Sequence, residues 1–157
     1  MDAGDTPKDE CQETVLRLEE FLPYRLSLAS NIISSGIADL YAERFNLTIA
    51  QWRIMAVIGR FDDLSAREVA ERTAMDKVAV SRALKGLEES GHLHRSVSAE
   101  DRRRSVLALT RAGRVIYNQV APIAIDYERR LLEGLDETEQ STLAQLLDRL
   151  KTRAQQL

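Results

Sequence analysis

Cysteine occurs once in this chain of 157 residues, histidine twice, and aromatic side chains make up 5% of it. A single thiol, Cys11, excludes an intrachain disulfide framework and fits a reducing cytoplasm. With two histidines and one cysteine there are too few soft ligands for a dedicated zinc cage. Seven glycines and three prolines supply little of the punctuation that a many-stranded sandwich or barrel needs. Long apolar runs are missing as well. The longest uncharged stretch, Leu26 to Ala38, has 13 residues and includes four serines and an asparagine, too short and too polar for a membrane span. The acidic start, MDAGDTPKDE, has no apolar core and does not read as a secretory signal. No Gly-rich phosphate loop, HExxH pair or GxSxG elbow is present, so neither an enzyme nor a cofactor is expected. Asp62 and Asp63, the one adjacent aspartate pair, read as solvation of a connection. What the chain has in quantity is Leu, Ala, Arg and Glu, at a length suited to one mainly helical domain.

The net charge of −3 argues against a polyanionic partner until it is divided along the chain. From Ser65 to Arg111 ten Lys/Arg stand against seven Asp/Glu, whereas the remainder carries twelve against eighteen. A locally basic middle in an acidic protein marks a surface for an anionic partner.

That middle is ordered by its helix caps. Thr48 with Gln51, Ser65 with Glu68 and Asp136 with Glu139 match the reciprocal capping pattern, and Asp76 supplies a further cap. The helix opened by Thr48 should run to about Arg60, the one opened by Ser65 to about Thr73, and the one capped by Asp76 to Ser90, where Gly91 ends it. Only Thr73 to Met75 separate the last two, a spacing that predicts a helix-turn-helix, with Ala74 where many such turns have glycine. Val69, Met75, Val80 and Leu84 can fill the space beneath it. Lys77, Ala79, Ser81, Arg82 and Lys85 remain to face outward. After Gly91 the pattern alternates: Leu93, Arg95 and Val97 on one run, Val106, Leu107 and Leu109 on a second. The polar tip between them reads AEDRRR, so Arg102, Arg103 and Arg104 would stand at the end of a hairpin. A hairpin of this kind after a helix-turn-helix describes a winged helix. Arg82 suits a bidentate contact to guanine, Ala79 a thymine methyl, and Lys85 a phosphate. Arginine at a wing tip suits a narrow A·T-rich minor groove.

The two ends carry more apolar stripe than a winged helix can cover. Leu22, Leu26, Ala29, Ile33, Ile37 and Leu40 fall at helical spacing, as do Val115, Ile116, Val120, Ile123, Tyr127 and Leu131, with Pro122 a candidate kink. Leu143, Leu147, Leu150, Ala154 and Leu157 continue the pattern. The simplest cover is a second copy, giving a homodimer with interlocking terminal helices. The resulting division is an acidic extension over 1–20 and one domain over 21–157. Its DNA-binding lobe would occupy 48–110, and its dimerisation helices 21–45 and 111–157.

From about Phe21 onward the sequence resembles the MarR family of bacterial transcriptional regulators. The most specific stretch is VAERTAMDKVAVSRALKGLEESGHLHRSVSAEDRRRSVLALTRAGR, Val69 to Arg114, with Gly91, Asp101, Arg102, Arg103, Leu109, Thr110 and Gly113 at the positions the family pattern requires. The resemblance implies a mainly α winged helix-turn-helix with a two-stranded wing, flanked by long N- and C-terminal dimerisation helices. It also implies a cytoplasmic repressor on a pseudo-palindromic double-stranded operator. Base contacts carry over onto Lys77, Ala79, Ser81 and Arg82, the minor-groove arginine onto Arg103, and the wing-supporting aspartate onto Asp101. A helical adaptor that offers its basic patch to an acidic protein partner is the competing reading, separable by the salt dependence of binding.

An effector reading attaches to Arg25, a guanidinium flanked by Leu22, Leu26 and Ala29 that must find an anion or reach water. A salt bridge to a partner subunit would satisfy it. The resemblance extends to family members governing aromatic-acid catabolism, which place an arginine early in the first helix. It implies an aromatic carboxylate or its thioester held by Arg25, with Trp52 against the ring and Ser35 available to a hydroxyl. His92 and His94 read as strand packing rather than metal ligands. One branch of the family senses peroxides through an N-terminal cysteine, but here Pro23 holds that position. Cys11 lies between Glu10 and Glu13, which disfavour a thiolate, so no redox role is expected of it.

Overall fold

The computed structural model describes residues 15–97 and 105–157. Its contacts divide the chain into two compact units, Met1–Ile33 and Ser34–Leu157, with the division falling inside the first helix. Among the described residues of the first unit, α1 (Leu22–Ala38) begins with its apolar side chains open, Leu22, Leu26, Leu28 and Ile32 all being exposed.

In the second unit the elements follow as α2 (Ala42–Phe45), α3 (Ile49–Arg60), α4 (Ala66–Thr73), α5 (Lys77–Glu89), β1 (Leu93–Val97), β2 (Ser105–Leu109), α6 (Arg111–Leu132) and α7 (Glu137–Ala154). The fold is mainly helical with one two-stranded antiparallel sheet, as the sequence predicts. The capping boxes form at Thr48/Gln51, Ser65/Glu68 and Asp136/Glu139, each satisfying two backbone donors that a helix start leaves open. Asp76 caps α5 alone, accepting from the backbone of Val78 and Ala79 at 2.9 Å each. α5 gives way at Ser90 and Gly91, whose φ of +73° is the left-handed conformation glycine adopts without cost.

α3 is the central strut. Ile54, Met55 and Ile58 are buried on it, and α4, α5, α6 and β2 pack around it. Val69, Val80, Leu84, Leu87, Leu93 and Leu107 close the same core. Leu107 is held from both sides, paired with Arg95 across the hairpin and donating its N–H to the Leu64 carbonyl at 2.9 Å. Arg114, in the first turn of α6, donates to the Gly59 carbonyl at 2.8 Å near the C-terminal end of α3 and lies over the Tyr117 ring. That is the favourable end of a helix dipole for a cation. α6 runs from Arg111 to Leu132 with Pro122 inside it, and α7 has no buried residue at all.

Candidate nucleic-acid interface

α4 and α5 are joined by a turn whose tightness depends on Ala74. With φ +52° and ψ +29°, Ala74 takes the left-handed conformation at the α4 C-terminus, a position where an L side chain costs about 1–2 kcal/mol. The cost is carried because Val69, Val80 and Leu84, all buried, lock α4 and α5 together. Met75 is half-buried beside them.

The buried residues of α5 are Val80, Ala83, Leu84 and Leu87, and they fix which side of the helix turns outward. Lys77, Ser81, Arg82 and Lys85 are exposed, as predicted. Ala79 is half-buried on the flank of the helix, and the neighbouring Val78 stands out instead, 65% exposed. Lys77 and Arg82 have no acidic partner among the described residues. Lys85 approaches Glu89 at 3.7 Å with both side chains mostly in water, a pairing too weak to withhold it from a phosphate.

Arg95 joins this face from β1. Strand alternation places it on the same side as Leu93, which is buried, yet the strand leaves the core beyond Leu93 and the guanidinium emerges beside α5. There its Nε donates to Glu88 Oε1 at 2.5 Å. Arg67, Lys77, Ser81 and Arg95 line an open groove of about 790 Å³ between α4, α5 and β1. Sequence reasoning overlooked Arg95 and Val78. A helical phase anchored on Val80 and Leu84 would have placed Val78 on the outer face. The wing residues Asp101, Arg102, Arg103 and Arg104 lie outside the described residues.

The remaining candidates are placed separately. Arg25 lies in the first unit, on an open strip of α1 with Leu22, Leu26, Ala29 and Ile32, and has no acidic partner among the described residues. Ser35 is exposed. Trp52 is half-buried, its ring tilted against Tyr41 at 5.8 Å and Tyr117 at 6.0 Å. Tyr41 is buried, and burial pushes its hydroxyl up to about 12, against the pull of nearby Arg53. Arg53 itself donates to the Ser34 hydroxyl at 2.8 Å. His92 shares a 2.9 Å hydrogen bond with the Ser90 hydroxyl. Among the described residues no group of three His, Cys, Asp or Glu side chains is arranged to hold a metal ion, and no helix is long and apolar enough to cross a membrane.

This arrangement of a capped outer helix, a helix-turn-helix and a hairpin recurs in known proteins. The sequence model of the MarR family matches residues 45–104, from the end of α2 to the residue before β2. A MarR/EmrR family transcriptional regulator from Acinetobacter sp. ADP1 superimposes with a TM-score of 0.83 at 27% identity, covering 90% of this chain and all of that one. Among relatives by sequence, an uncharacterized HTH-type transcriptional regulator of Bacillus cereus is 25% identical over 118 residues, 74% of this chain and 78% of its own length. The HTH-type transcriptional regulator TtmR of Methylorubrum extorquens is 26% identical over 142 residues, 84% of this chain and 70% of its own.

Proposed function

We propose that this chain, whose residues 45–104 match the MarR family and whose fold is that of MarR-type winged helix-turn-helix regulators, acts as a homodimeric repressor. Each protomer lays α5 into the major groove of one half of a pseudo-palindromic operator, and the wing arginines, Arg103 foremost, follow the adjacent minor groove. The observation that carries this reading is the outer face of α5. Its buried side is spent on the core, and its open side presents Lys77 and Arg82, neither with an acidic partner among the described residues. A helix with two exposed cations unpaired among the described residues, and a third held only weakly by Glu89, suits a polyanion of matching width. Two such helices related by a two-fold axis demand half-sites about one helical turn apart.

DNA fragments selected from the source genome, followed by a salt titration of binding, test this directly. The logarithm of affinity should fall with the logarithm of salt by about 0.9 per phosphate contacted. A shallow slope, or no selected fragment, would favour the adaptor with an acidic protein partner. Arg82→Ala should relax base preference at one position per half-site, losing roughly 1–3 kcal/mol of discrimination. A uniform loss across all sequences would make Arg82 a phosphate contact instead.

Release from DNA is assigned to a small aromatic carboxylate or its thioester, anchored on Arg25. The support is a guanidinium with no acidic partner among the described residues, on an apolar strip of α1, where a bidentate carboxylate would satisfy it. Such a ligand must bind the DNA-incompetent arrangement more tightly, because equal affinity for both shifts nothing. Arg25→Ala should keep operator affinity and raise the aromatic acid concentration needed for release roughly tenfold or more. An unchanged response would return Arg25 to a purely structural ion pair across the dimer.

A further inference from the structure

We infer that Val78 is a specificity-determining residue, reading the 5-methyl group of a thymine in the major groove. The inference rests on the DNA-reading role of α5 proposed above. Two stripes run along α5, each with the i, i+3, i+4, i+7 spacing that places side chains on one face. Val80, Ala83, Leu84 and Leu87 form the inward stripe, all buried. Val78, Ser81, Arg82 and Lys85 form the outward one, all exposed. Three of the outward four are polar or cationic, and the apolar member stands 65% exposed at the N-terminal end of the stripe.

That placement runs against both local rules for an outer helix face. A β-branched side chain loses rotamer freedom in a helix, and an exposed isopropyl group gains no burial in return. Sites where a sequence breaks such rules without gain in the folded chain are where function is found. The features that make valine a poor surface residue make it a good probe of a base. Its χ1 is held to one strongly preferred rotamer in a helix, so little freedom remains to be lost on binding. Its backbone is pinned as well, because Asp76 Oδ1 accepts from the Val78 N–H at 2.9 Å. First-turn residues of a recognition helix are those that meet base edges, and the apolar feature on a major-groove edge is the thymine methyl. The half-buried Ala79, to which sequence reasoning gave this contact, lies to one side with a single methyl group.

The test replaces thymine by deoxyuridine, which removes the 5-methyl alone, at each symmetric position of a genome-selected operator. With the parent protein one such position should weaken binding about fourfold per half-site, the worth of one methyl group removed from water. The Val78→Ala protein should bind the thymine operator with that same loss and be indifferent to deoxyuridine there, with thermal stability unchanged or raised. A parent protein indifferent to deoxyuridine at every thymine would overturn the inference while leaving operator binding intact. So would a Val78→Ala protein as sensitive to the methyl as its parent, or one that loses stability without losing the methyl dependence. Failure to select any operator would instead bring down the DNA-reading role itself.

Discussion

Leu147→Asp combined with Leu150→Asp should abolish the proposed dimer and lower operator affinity about 100-fold or more, because two half-sites are then bound one at a time. α7 shows why the effect should be so large. None of its residues is buried, and Leu143, Leu146, Leu147 and Leu150 lie at helical spacing with 41–47% of their surface open. Full burial of an exposed leucine contributes about 1.5–3 kcal/mol. Each of these leucines has less than half its surface left to bury, so the association energy is the sum of such fractions over one stripe on each of two copies. A carboxylate in the same place removes that gain and adds the cost of desolvating a charge with no partner. Sedimentation and operator binding read the two consequences separately. A stable monomer that binds the operator as the parent does would refute the interlocking-helix reading.

The legible parts of this fold are those set by neighbours in sequence. Thr48, Ser65 and Asp136 cap their helices because a side chain and an amide three residues on are enough to form the box. Gly91 ends α5 for an equally local reason. The turn at Ala74 shows a mixed case, since a residue with no intrinsic preference for the left-handed region is driven into it by the packing of α4 on α5. Where the outcome depended on distant contacts, sequence reading went astray. Ala79 and Val78 are a different case, a missed local inference, since the helical phase set by Val80 and Leu84 already turns Val78 outward. Arg95 obeys strand alternation but not its usual consequence, because β1 is exposed beyond Leu93 while its β2 partners Val106 and Leu107 stay buried. The single turn of α2 is too short to carry a period, and Tyr41 just before it, among the most deeply buried aromatics, stood outside any pattern. Trp52 is half-buried, its ring tilted against Tyr41 and Tyr117.

Gly113→Ala should cost roughly 3 kcal/mol and lower the melting temperature by about 10 °C. Gly113 is buried in the first turn of α6, where that helix meets the corner between α5 and β1. The Thr110 hydroxyl donates to the Gly91 carbonyl at 2.7 Å and accepts from the Gly113 N–H at 3.0 Å, while the Thr110 N–H donates to the His92 carbonyl at 3.1 Å. A Cβ on Gly113 would fall on that same His92 carbonyl, well inside van der Waals contact. The obstacle is backbone, so no side-chain rotation relieves it. Either α6 moves off the corner, or His92 withdraws and the Thr110 bond is lost with it. Gly134, where an added Cβ meets nothing within 4 Å, is the matched control. Gly134→Ala should be neutral or slightly stabilising, since it mainly removes freedom from the unfolded chain. The corner also fixes where β1 departs from the end of α5, so a displaced α6 shifts β1, and Arg95 with it, relative to the groove beside α5. Operator affinity should therefore fall in the Gly113→Ala protein even below its melting temperature, and remain intact in Gly134→Ala. Denaturant titration and operator binding on the two variants check both halves. A Gly113→Ala protein as stable as Gly134→Ala would mean that α6 does not rest on the corner at all.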